Sequence, residues 1–284
     1  EAFIPADAVA MMFMGTRTEQ SAEEAMANIR AKYNLDKPWY QRFVIYVWDV
    51  LHGDLGESIR TRRPVWDDLK MRYVNTIKLT VASLAVAATV GVSTGVLSAY
   101  YKGSFFDTLA QMIGLFGLSM PAFFFGIILI IVFSVTLGWF PVLGKGDLQH
   151  LILPAVTMGL ISSASISRMT RSAMLDVLNQ DYIRTARAKG LGERAVVLRH
   201  ALRNAFLPVV TIIGLQVGYL LGGVFIIENV FLWHGVGELA VRAIAWHDFT
   251  ITKAIILVSA ATYVLVNLAV DVIYGYLNPR IRYD

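Results

Sequence analysis

No charged side chain occurs between Asp107 and Lys145. A helix that crosses the hydrocarbon core of a bilayer needs about 20 apolar residues, and this run is more than enough for one crossing. It contains Pro121 in SMPAFFFG, which removes a backbone donor and predicts a kink or break there. Comparable apolar runs give five spans in all, at roughly 76–100, 108–137, 151–167, 207–227 and 254–276. The runs are continuous rather than alternating, which excludes a membrane β-barrel. Composition agrees: 16% of the residues are charged and 56% hydrophobic, against about 25% charged in a soluble domain.

Lys and Arg near the span ends orient the chain. The segment 168–204 carries Arg168, Arg171, Arg184, Arg187, Lys189, Arg194, Arg199 and Arg203 against Asp176, Asp181 and Glu193, so it is expected to be cytoplasmic. The loop 228–253 holds only Arg242 and Lys253 against Glu228, Glu238 and Asp248 and is expected to be external. Alternation then puts 101–107 and the C-terminus, with Arg280 and Arg282, inside, and 138–150 outside. Residues 1–75 become external, which implies a sixth helix upstream of Glu1, or else a removed signal peptide. The net charge of +4 follows this topology, so nucleic acid is not an expected partner. With no cysteine in the chain there is no disulfide framework and no thiolate metal site.

The external segment reads as folded. Ser21-Ala-Glu-Glu24 fits a capping box. Pro38 can open a helix that carries Trp39, Tyr40, Phe43, Tyr46 and Trp48 and ends at Gly53. Those aromatics suit a membrane interface or a small helical core. The domain expectation is 1–75 external and 76–284 transmembrane, with a cytoplasmic loop at 168–206.

That loop is more than a charged connection. In a helix over 193–205, Val197, Leu198, Ala201, Leu202 and Ala205 share one face, and Arg199, His200, Arg203 and Asn204 the other. Met174, Leu175, Leu178, Tyr182 and Ala186 make an earlier apolar stripe. Gly190 and Gly192 between them permit a sharp reversal. Topology explains the charges; the two amphipathic faces fit a surface-lying helix or an elbow that docks on another protein.

The run Tyr182-Ile183-Arg184-Thr185-Ala186-Arg187-Ala188-Lys189-Gly190-Leu191 resembles the coupling segment of ABC-importer permeases, specifically the dipeptide, oligopeptide, glutathione and nickel branch. YNLDKPWYQRFVIYVWDVLHGDLGESIRTRRPV (33–65), GLQVGYLLGG (214–223) and YGYLNPRIRY (274–283) are similar to that branch as well. Arg184-Thr185-Ala186 replaces the general Glu-Ala-Ala, and Pro208 falls later after Gly190 than in the general pattern. Trp233-His234-Gly235 stands for Trp-Pro-Gly, and Pro5-Ala6-Asp7-Ala8 for Pro-Gly-Asp-Pro. The resemblance implies an all-α membrane protein of the type I ABC-importer permease fold in the bacterial inner membrane. It implies a second homologous permease, two cytoplasmic ATP-binding subunits and an extracytoplasmic substrate-binding protein as partners, besides membrane lipid. It implies no catalytic residue and no cofactor on this chain, ATP and Mg belonging to the ATP-binding subunits. Alternating access would be driven through residues 182–191, with Gly190, Ala186 and Ala188 small enough for close docking.

Other residues carry two readings each. Gly214, Gly218 and Gly222 lie on one helix face and suit packing against a second permease or within this chain; Gly91 and Gly95 suit internal packing. Ser162, Ser163, Ser165 and Ser167 with Thr157 can line a path or bond to their own helix. Gln216, inside a span, needs a partner in protein or water; Ser162, Ser165 and Gln216 are the candidates for the path. Asp271, inside a span, reads as a partner of Arg280 and Arg282 or as a proton or substrate group. The five histidines, His234 among them, lack metal-ligand spacing, and Gly144-Lys145-Gly146 is not a phosphate-binding loop. The substrate expected is a dipeptide, an oligopeptide or glutathione, with a short 138–150 loop leaning toward glutathione. Nickel or a metal chelate is the alternative, and an ATP-independent secondary transporter a remoter one.

Overall fold

A computed structural model describes residues 37–144 and 148–277. Among them the backbone is helical apart from turns and one isolated antiparallel bridge between Glu57 and Pro64. The helices are α1 (Trp39–Leu51), α2 (Val65–Tyr100), α3 (Phe105–Ser119), α4 (Ala122–Leu129, continued by a π-helical stretch Ile130–Thr136), α5 (Leu148–Leu178), α6 (Asp181–Ala188), α7 (Glu193–Val230), α8 (Val236–Ala245) and α9 (Phe249–Leu277). The Ser21–Glu24 capping box, Pro5 to Ala8, Arg280 and Arg282 lie outside the described residues, as does the side chain of Asp271.

Five apolar elements correspond to the five expected spans: α2, α5, α7, α9 and the pair α3–α4. Each helix runs past its apolar stretch. α2 begins eleven residues earlier than the expected 76 because Asp67 and Asp68 sit in its first turn, where acidic groups favour helix. α5 reaches Leu178 and so takes Arg168 and Arg171 onto the helix. α7 contains both the expected 193–205 helix and the fourth span as one element of 38 residues, with Pro208 inside it.

The break at Pro121 is real and sharp: α3 and α4 are bent by 109°. A re-entrant hairpin would return to the side it left, and packing along α5 rules that out. Asp107 meets Arg171, a Cβ on Gly114 would touch Ala164, and one on Gly126 would lie 3.5 Å from Thr157. Progress along α3–α4 is matched by steady descent along α5, and Gly144 finally donates its N–H to the carbonyl of Phe231 at the far end of α7 (3.0 Å). The pair is one broken crossing.

The described residues fall into two units, 37–68 with 243–254, and 69–242 with 255–277. In the first, α1 follows Pro38 and ends before Gly53 (φ 84°). The turn after it is pinned by the buried Asp248, which accepts the Ser58 hydroxyl at 2.5 Å and also caps α9 through the N–H of Ile251 (3.2 Å). Arg60 stacks on Trp246 at 4.0 Å. In the second unit α5 is central. Gly91, Gly95 and Gly159 let α2 and α5 touch backbone to backbone: a Cβ on any of them would lie within 3 Å of the opposite helix. This is the internal packing expected of Gly91 and Gly95. One cluster, with Leu79, Met158, Leu220, Val224 and Trp233, fills the end away from the basic loop. A second, with Val96, Met174, Ile183, Val196 and Ala201, fills the basic end.

Candidate functional site

The basic loop folds as an elbow. α5 stops at Leu178, Gln180 turns the chain in an extended conformation, and α6 follows. The earlier apolar stripe is thus divided between two helices. Ile183 and Ala186 carry it inward: they are 0% and 7% exposed and pack with Val96, Ala99, Met174, Val196 and Ala201. Tyr182, Arg184, Thr185, Arg187, Ala188, Lys189, Gly190 and Leu191 all face out. Within the expected coupling run, then, two residues fix the elbow to the body and eight make its surface.

α6 ends on Gly190 for a backbone reason. The N–H of Leu191 reaches the carbonyl of Ala186 (3.4 Å) and that of Gly190 reaches Arg187 (2.9 Å), a Schellman closure with Gly190 at φ 80°. An L-residue is strained at that φ, but a Cβ there would meet nothing within 4 Å. Two side-chain bonds lock the turn. Arg187 donates to both carboxylate oxygens of Glu193 (3.2 and 2.7 Å), and this bond holds the Arg187 guanidinium above its ordinary pKa. Asn204 donates to the Tyr182 hydroxyl at 2.8 Å.

The second arm departs from simple helical phasing. Val197, Ala201 and Ala205 are buried as expected, but Leu198 is 58% exposed. The stretch Val196–Ala201 is π-helical, and its wider winding rotates Leu198 off the inward face. Arg199, Arg203 and Asn204 are exposed, so α6 and the start of α7 together present a strongly cationic surface.

Two polar clusters tie the elbow's supports together, and neither was singled out from the sequence. At the basic end, the buried Asp107 is gripped by Arg171 at two points (2.8 and 2.7 Å). It also accepts the N–H of Gly103 (2.9 Å) and the hydroxyl of Ser98. One carboxylate therefore joins the end of α2, the following turn, α3 and α5. In the sequence Arg171 reads only as a topological charge, because 64 positions separate the partners.

At the other end, Glu228 is fully buried and closes the N-terminus of α8 from outside that helix. Its carboxylate accepts the N–H groups of Gly237 (2.6 Å) and Glu238 (3.3 Å). Thr76 accepts the N–H of Val236 (2.9 Å) and so must donate its own proton to Glu228 (2.5 Å). Gly235 donates its N–H to the carbonyl of Trp233 (2.6 Å), so the four donors that a helix start leaves free are all satisfied. The loop at His234 is fixed by the same group of residues. Asn75 donates to the His234 carbonyl (2.8 Å), and Trp233 donates its indole N–H to the carbonyl of Asn75 (3.0 Å). Arg72 and Arg242 both pair with the buried Glu238.

The other predicted residues are scattered. Gly214 and Gly218 face Val270 and Tyr263 of α9 in the same chain, whereas Gly222 is open and borders a cavity with Thr76, Phe225 and Tyr263. Ser162 and Gln216 are buried, each with a polar atom lacking a partner among the described residues, and Ser165 is half-buried. A cavity of about 320 Å³ between α2, α3 and α5 is lined by Ser163 and Ser167 instead. Both hydroxyls are already engaged, with Leu160 and Thr94, so the walls are effectively apolar.

Comparison with known proteins gives a consistent result. The family model "Binding-protein-dependent transport system inner membrane component" matches residues 91–283. The glutathione transport system permease protein GsiC of Escherichia coli O6:H1 is 45% identical, over 90% of this chain and 83% of that one. The di/tripeptide transport system permease protein DppB of Pseudomonas aeruginosa is 44% identical, over 99% and 91%. Among solved structures, the methionine ABC transporter MetNI superposes with a TM-score of 0.62 at 18% identity, covering 74% of this chain and 96% of that one. An amino acid ABC transporter gives 0.51 at 16%, covering 74% and 92%. At such identity these two establish the fold.

Proposed function

We propose, from the premise that this chain belongs to the binding-protein-dependent transport system inner membrane components, that it forms the path for di- and tripeptides or glutathione in an ABC importer of the bacterial inner membrane. As a permease component it works with ATP-binding and substrate-binding partners. In our reading these are two cytoplasmic ATP-binding subunits, one extracytoplasmic binding protein and a second homologous permease. ATP and Mg sit on the ATP-binding subunits, and this chain contributes no catalytic group.

The observation that carries the reading is the elbow. Its inner face is locked into the core that joins α2, α5 and α7, and its outer face is cationic and exposed among the described residues. A push on the outer face is passed to three membrane helices at once, which is what alternating access requires of an energy-coupling element. The elbow end is then cytoplasmic, in keeping with its excess of Lys and Arg, and the Glu228 end is external. The open Gly222 and the exposed apolar faces of α7 and α9 suit the second permease. Ser162, Ser165 and Gln216 remain the candidates for the path.

Uptake of labelled glutathione and of a labelled dipeptide, measured in cells with and without this chain and the rest of its transport system, tests the reading. Energy-dependent uptake of at least one, lost with the chain, is expected. Uptake of neither, with energy-dependent uptake of another class such as nickel, would overturn the substrate assignment.

A further inference from the structure

Two long helices touch both the elbow and the cluster at the other end: α2, through Val96 and Ala99 at one end and Thr76 at the other, and α7, whose first turns are themselves the second arm of the elbow. The 38 residues of α7 extend about 57 Å at the helical rise. A carboxylate near each end ties it to another helix: Glu193 to Arg187 of α6, and Glu228 to the first turn of α8. The parts of α7 that can flex lie close to the elbow, at the π-helical stretch Val196–Ala201 and at Pro208. Beyond them the helix is unbroken to Val230.

The far joint is tight. Glu228 is fully enclosed and spends all its contacts on donors: Thr76 on α2, and the N–H groups of Gly237 and Glu238. A Cβ at Gly235 would run into the Glu228 carboxylate, and one at Gly237 into the backbone of Phe225. The start of α8 therefore cannot shift against α7 without breaking the cap. The partner surface beyond it is available, since Val241 and Arg242 on α8 are exposed.

We propose that Glu228 is the positioning residue through which α7 carries a displacement of the elbow to α8 and the 231–235 loop, so that the external end responds to the ATP-binding subunits and they respond to it. The inference rests on the reading of α6 as the element on which an ATP-binding subunit docks. Thr76 is its accessory, since its hydroxyl donates to the carboxylate and accepts the N–H of Val236.

The test uses the complete complex in lipid nanodiscs, with two readouts: ATP hydrolysis alone, and its stimulation by substrate-loaded binding protein. Glu228→Ala strips three donors of their acceptor. It is expected to leave unstimulated hydrolysis within about twofold while stimulation falls by about tenfold or more, in the range of ordinary coupling energies. Thr76→Val should give a smaller fall of the same kind. Glu228→Gln, which still offers one carbonyl oxygen to α8, should fall between, and it carries the test if the alanine variant does not assemble. Stimulation at the wild-type level in Glu228→Gln and Thr76→Val, or an equal loss of both readouts, overturns the proposal. A wild-type complex that hydrolyses no ATP overturns the underlying reading, and the proposal with it.

Discussion

Arg171 holds Asp107 at two points, Nε to Oδ1 at 2.8 Å and Nη2 to Oδ2 at 2.7 Å, and so fastens the start of the broken crossing to the central helix. The pair lies at the elbow end of the helices, where α2, α3 and α5 meet. Removing one partner from such a pair leaves a buried charge without compensation.

Arg171→Met is therefore expected to lower the melting temperature of the purified protein in detergent. The loss corresponds to about 3 kcal/mol, the low side of the range for breaking a buried pair, because Arg171 is partly exposed. The double variant Asp107→Asn with Arg171→Met should recover part of that loss. Additive losses in the double-mutant cycle would show that the two residues act independently.

Gly190 separates a backbone cost from a partner contact. Gly190→Ala should cost about 1 kcal/mol for the left-handed conformation and little uptake. Gly190→Trp keeps the same backbone cost, and its Cβ would meet nothing within 4 Å. Uptake should nevertheless fall well below the alanine variant, with ATP hydrolysis retained, because the ring would occupy the proposed docking surface. Equal uptake in the two variants would remove Gly190 from that surface.

The Arg187–Glu193 pair is 42% and 38% exposed, so it contributes less than about 1 kcal/mol. The pair bridges α6 and the start of α7, so its expected effect is on the angle of the elbow. Arg187→Glu should lower uptake with almost no change in melting temperature, and adding Glu193→Arg should restore uptake. A swapped pair that stays inactive would mean that Arg187 itself contacts the partner.

The glycines divide by what a methyl group would meet. Gly159→Ala forces α5 off Val86 and Ser83 of α2, and Gly235→Ala meets the Glu228 carboxylate. Both should destabilise by about 1–3 kcal/mol or more, as overpacking does. Gly222→Ala points into open space and should leave melting unchanged. Measurable destabilisation by Gly222→Ala in the isolated chain would contradict this packing.

The spans were legible because lipid demands long apolar runs, and the break at Pro121 because proline lacks a donor. The helix ends were not legible from hydropathy: α2 and α5 continue on the strength of backbone bonding past the last apolar residue. The elbow was legible in outline from Gly190 and the two apolar stripes. The exposure of Leu198 was not, since a π-helical turn leaves no mark in a 3.6-residue pattern. The clusters at Asp107 and Glu228 were out of reach for a different reason. Each depends on partners far away in the chain, and a lone carboxylate at a helix end looks like any loop charge. Three ion pairs do lie within reach of the local sequence: Arg187 with Glu193, flanking two glycines, and Asp181 with Arg184 and Glu238 with Arg242 at helical spacing.

In the proposed function the outer face of α6 is where an ATP-binding subunit docks. The chain contains no cysteine, so single cysteines can be placed at Arg184, Lys189 and Ile183 and cross-linked in native membranes with a short amine-reactive maleimide. Adducts with an ATP-binding subunit are expected from Arg184→Cys and Lys189→Cys and none from the buried Ile183→Cys. Absence of adducts from both exposed positions, with the complex intact, would contradict that docking.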